Sequence, residues 1–180
     1  MEVLRSISLY CEAKQIAFLV AGGHAVNAFG ISRQTGDLDL IVSREQKSPW
    51  LELLEKLKYT CFQNDDRFAR FKADTLAAWP IDLMFVDSST FSKLLNDSIL
   101  VDYGLVSART VSAVHLATLK IHALKHYQAH REAKDYGDLL GLLRTGKAQL
   151  TNDELRGLCL RYANQALYDR LARDLSGSER

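Results

Sequence analysis

The chain has 180 residues, 47% of them hydrophobic and 25% charged, the profile of an ordinary globular protein with room for a sizeable core. A net charge of +1 does not mark the whole molecule as a nucleic-acid binder. Three widely spaced cysteines, Cys11, Cys61 and Cys159, argue against a disulfide framework, and no apolar run reaches membrane-spanning length. With no signal-peptide pattern at the N-terminus either, a cytoplasmic protein with no membrane partner is expected.

In chain order, Glu2 to Lys14 carries apolar residues at helical spacing: Val3, Leu4, Ile7, Tyr10 and Cys11. Phe18 to Ala21 reads as a buried strand that Gly22-Gly23 breaks, followed by a short helix from His24 to Phe29. Asp37 to Val42 reads as a second strand, 43–49 as a polar connection, and Trp50 to Leu57 as a helix. Tyr59 to Gln63 and Phe68 to Lys72 flank Asn64-Asp65-Asp66-Arg67, a hairpin signal. Phe68, Phe71 and Trp79 are read as core bulk. Pro80 to Val86 is an apolar strand with one acid, Asp82. Ser88 to Leu95 is a helix capped by Ser88 or Ser89, and 97–107 is strand and loop. Beyond Ser112 the pattern is helical: Ser112 to Tyr127, Glu132 to Arg144, and Asn152 to Leu175, the last with a capping box from Thr151 and Glu154. The expected organisation is α+β: a small mixed sheet flanked by helices over 1–107, then a C-terminal helical bundle over 108–180 that packs on it and completes a cleft.

The chemistry concentrates in three places. On a strand, Asp37 and Asp39 share a face with Cα atoms roughly 6.5 Å apart, while Leu38 and Leu40 turn to the core. Paired carboxylates repel and call for a hard cation such as Mg²⁺, which completes its octahedron with water and phosphate oxygens. Gly22-Gly23 permits close backbone approach, and the following helix offers free N–H groups to an anion. Asp82, if its strand lies beside the Asp37–Asp39 strand, supplies a third carboxylate and a two-ion arrangement. Each feature has a bland counterpart: a glycine pair is usually a turn, Asp-x-Asp a solvated strand end, and Asp82 alone a salt-bridged structural acid.

Gly22-Gly23, Asp37-x-Asp39 on a strand and Asp82 on a later strand resemble the nucleotidyltransferase superfamily over residues 15 to 87. Arg33-x-Thr35-x-Asp37-x-Asp39, the run Leu116 to Leu124 and Lys134-Asp135-Tyr136-Gly137-Asp138-Leu139 are similar to minimal bacterial, AbiEii-type toxin nucleotidyltransferases. The resemblance implies an α/β nucleotidyltransferase fold. It implies nucleoside triphosphate contacts at Gly22, Gly23, Arg33, Thr35 and Lys120. Mg²⁺ or Mn²⁺ would be held by Asp37, Asp39 and Asp82, with Asp82 a possible general base and Asp135, or alternatively Asp138, completing the site near Lys120. Many members carry serine where Gly23 stands, so here only backbone N–H groups would meet the phosphate.

For Lys120 the alternative is a snorkelling surface lysine, and for Asp135 and Asp138 an exposed ion-pair cluster. His115, His122, His126 and His130 form a helix stripe read as a polar face, a zinc site, or, with Lys125, Arg131 and Lys134, a nucleic-acid face. The implied activity is transfer of a nucleoside monophosphate from an NTP to an acceptor hydroxyl. The family likeness points to a toxin or phage-defence protein acting on tRNA or other RNA, with a cognate antitoxin as partner. A small-molecule, antibiotic-type transferase and a non-catalytic nucleotide- or partner-binding module are the alternatives.

Overall fold

The computed structural model describes residues 2–75, 78–125 and 129–177, with the side chains of 129–131 left aside. Of the histidine stripe and its basic neighbours, His126 and the side chains of His130 and Arg131 lie outside the described residues. The chain divides into two compact units, Met1–Ala28 with Arg33–Val111, and Phe29–Ser32 with Ser112–Arg180.

The first unit is built on a mixed sheet of seven strands among the described residues: β1 (Phe18–Val20), β2 (Leu38–Ser43), β3 (Tyr59–Asn64), β4 (Phe68–Ala73), β5 (Ile81–Val86), β6 (Ile99–Asp102) and β7 (Ser107–Thr110). Their spatial order is β3-β4-β5-β2-β1-β7-β6. β2 and β5 run parallel in the centre, and β1 pairs antiparallel with β2 and parallel with β7. Alternation sorts the faces. Leu38, Leu40 and Val42 of β2 and Ile81, Leu83 and Phe85 of β5 turn to one side. There they meet Leu4, Ile7 and Cys11 of α1 (Glu2–Lys14) and Trp50, Leu53 and Leu54 of α3 (Lys47–Lys56) in one buried cluster. The alternate residues, Asp39 on β2 and Asp82 on β5, face the opposite side, and β2 is also in contact with α2 (Gly22–Ala28) and α4 (Ser88–Asn96).

Several boundaries differ from the sequence reading. Helix α2 begins at Gly22 itself, because the chain makes its left-handed turn there (φ +56°) and Ala25 N–H already closes a bond to Ala21 C=O at 3.2 Å. Residues 44–49 are not an open connection: Arg44–Gln46 form a 3₁₀ turn that runs into α3, with Pro49 in the first helical turn, where a missing N–H costs nothing. The cap of α4 is Asp87, one residue before the expected serines, and its carboxylate accepts from Thr90 N–H at 2.9 Å. β7 carries no strand signal because its sequence, SART, is polar; Ala108 and Thr110 are nonetheless buried on one face. Of the aromatics read as core, Phe71 is buried, Phe68 is half-buried, and Trp79 is half-buried with its ring tilted against His24.

The second unit contains α5 (Ala113–Ala123), α6 (Ala129–Arg144), α7 (Asn152–Tyr162) and α8 (Gln165–Ser176). α5 is shorter than the expected 112–127 helix, and α6 starts three residues earlier than Glu132. The expected single helix over 152–175 is two, since Asn164 leaves helical geometry and caps α8 by accepting from Leu167 N–H at 2.9 Å. The capping box of α7 is present: Thr151 Oγ1 accepts from Glu154 N–H at 3.2 Å, and Glu154 Oε2 accepts from Thr151 N–H at 2.8 Å. Tyr136 ties α6 to α8. Its hydroxyl donates to Asp174 at 2.7 Å and its ring lies under the Arg170 guanidinium at 3.8 Å.

Cys11 and Cys159 are buried free thiols whose pKa burial pushes up to about 12 and about 11, while Cys61 is exposed. Among the described residues no helix is long and apolar enough to cross a membrane.

Candidate active site

The expected neighbours are neighbours. In the parallel β2–β5 ladder, Asp39 and Asp82 are directly opposed, so two half-buried carboxylates project from the same sheet face. Asp37 stands one residue before β2 rather than within it, also half-buried. Its Oδ1 accepts a hydrogen bond from Thr35 Oγ1 at 3.1 Å.

The diglycine closes on this acidic cluster. A methyl group at Gly22 would lie 1.7 Å from Asp39 Oδ2, so the carboxylate occupies the space that any other side chain would claim. Ala21 N–H donates to Asp39 C=O at 2.9 Å, which fixes the diglycine corner to β2. At Gly23 a methyl group would meet Arg33 Nη2 at 2.3 Å and Thr35 Oγ1 at 2.4 Å. The segment before β2 is held over Gly23 by Asn27 of α2, whose side chain donates to Arg33 C=O (3.1 Å) and accepts from Arg33 N–H (3.0 Å). Gly22, Gly23, Arg33, Thr35, Asp37 and Asp39 therefore form one contiguous patch, and Asp82 adjoins it through the ladder. Asn27 was not singled out from sequence; an amide side chain six residues before its partner leaves no periodic signal.

The donor set of Asp37, Asp39 and Asp82 is all oxygen, which suits Mg²⁺ or Mn²⁺ and not the nitrogen- and sulfur-seeking metals. Among the described residues, no three His, Cys, Asp or Glu side chains converge closely enough to hold an ion as they stand. Asp82 is engaged elsewhere: its Oδ2 lies 3.3 Å from Arg70 Nε on β4.

His24, in the first turn of α2, is buried with its ring 4.5 Å from that of Trp79, and its Nε2 has no hydrogen-bond partner. Burial lowers its pKa below the ordinary value, outweighing the pull of Asp37 in the other direction. The folded protein thus keeps His24 neutral where the unfolded chain takes up a proton, and stability falls as the pH drops through the unfolded value of about 6.5. Melting midpoints should decline between pH 7.5 and 5 more steeply for the parent than for His24→Phe, which keeps the ring but cannot titrate. Equal slopes would remove His24 from the pH response.

Lys120, Asp135 and Asp138 come together within the helical unit. Lys120 Nζ on α5 lies 2.7 Å from Asp135 Oδ1 and 2.7 Å from Asp138 Oδ2 on α6, and all three residues are buried. The i, i+3 spacing of the acids puts both on the α6 face turned to α5.

No family model matches this chain, and no curated protein does. Solved structures do, and they define its class of architecture: the α/β nucleotidyltransferase fold. An antigenic nucleotidyltransferase-like protein from Paracoccidioides brasiliensis matches 98% of the chain over 89% of its own length, with a TM-score of 0.65 and 16% identity. The antibiotic-resistance factor ANT(2'')-Ia matches 98% of the chain over 96% of its own, at TM-score 0.64 and 12% identity. The lincosamide antibiotic adenylyltransferase LnuA, solved with lincomycin bound, matches 78% over 94% at TM-score 0.57 and 15% identity. Identities this low carry the fold and leave the chemistry to the residues.

Proposed function

We propose that the protein is a Mg²⁺- or Mn²⁺-dependent nucleotidyltransferase that moves a nucleoside monophosphate from an NTP to an acceptor hydroxyl and releases pyrophosphate. The observation that carries this reading is the opposed Asp39–Asp82 pair beside Asp37 and the diglycine corner. Asp37, Asp39 and Asp82 would together hold the divalent ions. Bound there, the ions would supply charge neutralisation for the triphosphate and polarise the attacked phosphorus. The remaining work belongs to the chain. Gly22 and Gly23 present backbone to the phosphates, and the Arg33 guanidinium and Thr35 hydroxyl stand over the same corner. Asp82 would also help orient the acceptor hydroxyl and take up its proton as its oxygen attacks.

The acceptor we favour is a small hydroxyl-bearing compound. ANT(2'')-Ia has been solved with adenylyl-2''-tobramycin and LnuA with lincomycin, and the likeness to the former spans nearly the whole of both chains. The second reading, a toxin modifying tRNA or other RNA and restrained by an antitoxin, is favoured by the motifs over 116–139. Incubation with each α-labelled NTP, Mg²⁺ or Mn²⁺, and either a panel of aminoglycosides and lincosamides or total cellular RNA tests both. Label in a small-molecule product with release of pyrophosphate is the expected result. Label in RNA selects the second reading. No transfer from any NTP to either pool overturns the assignment and leaves a nucleotide-binding module.

A further inference from the structure

Three charged side chains lie in one row across three adjacent strands. Arg70 on β4 is the register partner of Asp82 on β5, and Asp82 is the register partner of Asp39 on β2. Arg70 Nε lies 3.3 Å from Asp82 Oδ2 as an ion pair without hydrogen-bond geometry; Nε itself is buried, while the two side chains as wholes are 38% and 26% exposed. Asp39 and Asp82 are in register and Asp37 stands one residue before β2, yet the three acids do not converge into an ion-holding cluster. The guanidinium beside Asp82 is drawn to the same oxygen lone pairs that a cation needs.

We infer that Arg70 is a positioning residue that competes with a divalent cation for Asp82. In this arrangement Arg70 acts as a built-in counter-ion that partly neutralises the acidic cluster and orients the Asp82 carboxylate. When a cation takes Asp82, the Arg70 guanidinium is released on the same sheet face, where it can pair with an anionic substrate group. Cation and triphosphate binding are thereby coupled: the cation displaces the arginine, and the displaced arginine favours the anion. The inference rests on the metal-site reading above and adds to it a residue that nothing in the motif pattern marks.

The test is Mn²⁺ binding to the full chain without nucleotide, followed by the electron paramagnetic resonance of free Mn²⁺. Arg70→Gln should bind Mn²⁺ about two- to fivefold more tightly than the parent, the scale of a partly exposed ion pair. Arg70→Lys, which keeps the charge but loses the planar fork, should fall between them. In an Asp82→Asn background the gain from Arg70→Gln should vanish, because the contested carboxylate is gone. A gain of equal size in that background would mean general electrostatics and would overturn the inference, as would an Arg70→Gln affinity equal to the parent's. A parent that binds no Mn²⁺ removes the metal-site reading and this inference with it. Parent binding with Arg70→Gln unchanged removes only the latter.

Discussion

Lys120→Met is expected to destabilise the helical unit by about 3–5 kcal/mol, the cost of taking the cation out of a buried charge cluster. Lys120 is 7% exposed, and Asp135 and Asp138 are 6% and 4% exposed. One ammonium neutralises part of two carboxylates at 2.7 Å each, so its removal takes the cation from between two like charges in a place with little water. Methionine keeps most of the aliphatic stem, which separates the electrostatic loss from a packing loss. Urea unfolding followed by circular dichroism should show the midpoint drop. Adding Asp135→Asn and Asp138→Asn to Lys120→Met should recover part of it, because the repelling charges are then gone. A Lys120→Met protein as stable as the parent would mean that the acids find water or other partners, and the buried-cluster account would fail.

Gly22→Ala should reduce nucleotidyl transfer by on the order of a hundredfold or more, the penalty for an ångström-scale misplacement of a catalytic group. Two effects act together. The residue sits at φ +56°, where a Cβ costs about 1–2 kcal/mol. That Cβ would also fall 1.7 Å from Asp39 Oδ2, a distance no side chain tolerates, so the carboxylate must swing away. Asp39→Asn on the glycine background provides the reference, since it removes the charge while leaving the corner intact. Gly23→Ala should cost less activity, because Gly23 is not in the left-handed region, although its Cβ would still press on Arg33 Nη2 at 2.3 Å and Thr35 Cβ at 2.7 Å. Comparable activity in Gly22→Ala and parent would show that the Asp39 carboxylate need not stay where it lies.

Much of the candidate site was legible because its signals are local. A strand shows its faces by alternation, so Asp39 could be set apart from Leu38 and Leu40 from the text alone. A glycine pair after an apolar run announces a corner. Boundaries were less secure where a single side chain decides them. Asp87 outcompetes Ser88 and Ser89 as a cap because its carboxylate reaches Thr90, and Asn164 ends one helix and starts another inside an unbroken helical pattern. β7 was hidden because its buried face is Ala108 and Thr110, too small and polar to read as a strand.

The sequence by itself determined which residues are the candidates for the chemistry: the acids two apart before and in one strand, the lone acid in another, and the glycines that precede them. Only the tertiary structure decided their partners. Whether β5 lies beside β2, whether Arg70 stands across from Asp82, and whether Lys120 meets Asp135 and Asp138 all depend on strand order and helix packing. Those choices are made by burying apolar faces far apart in the chain. A charged residue's neighbour across a sheet is therefore set by hydrophobic pairing that its own local sequence does not contain.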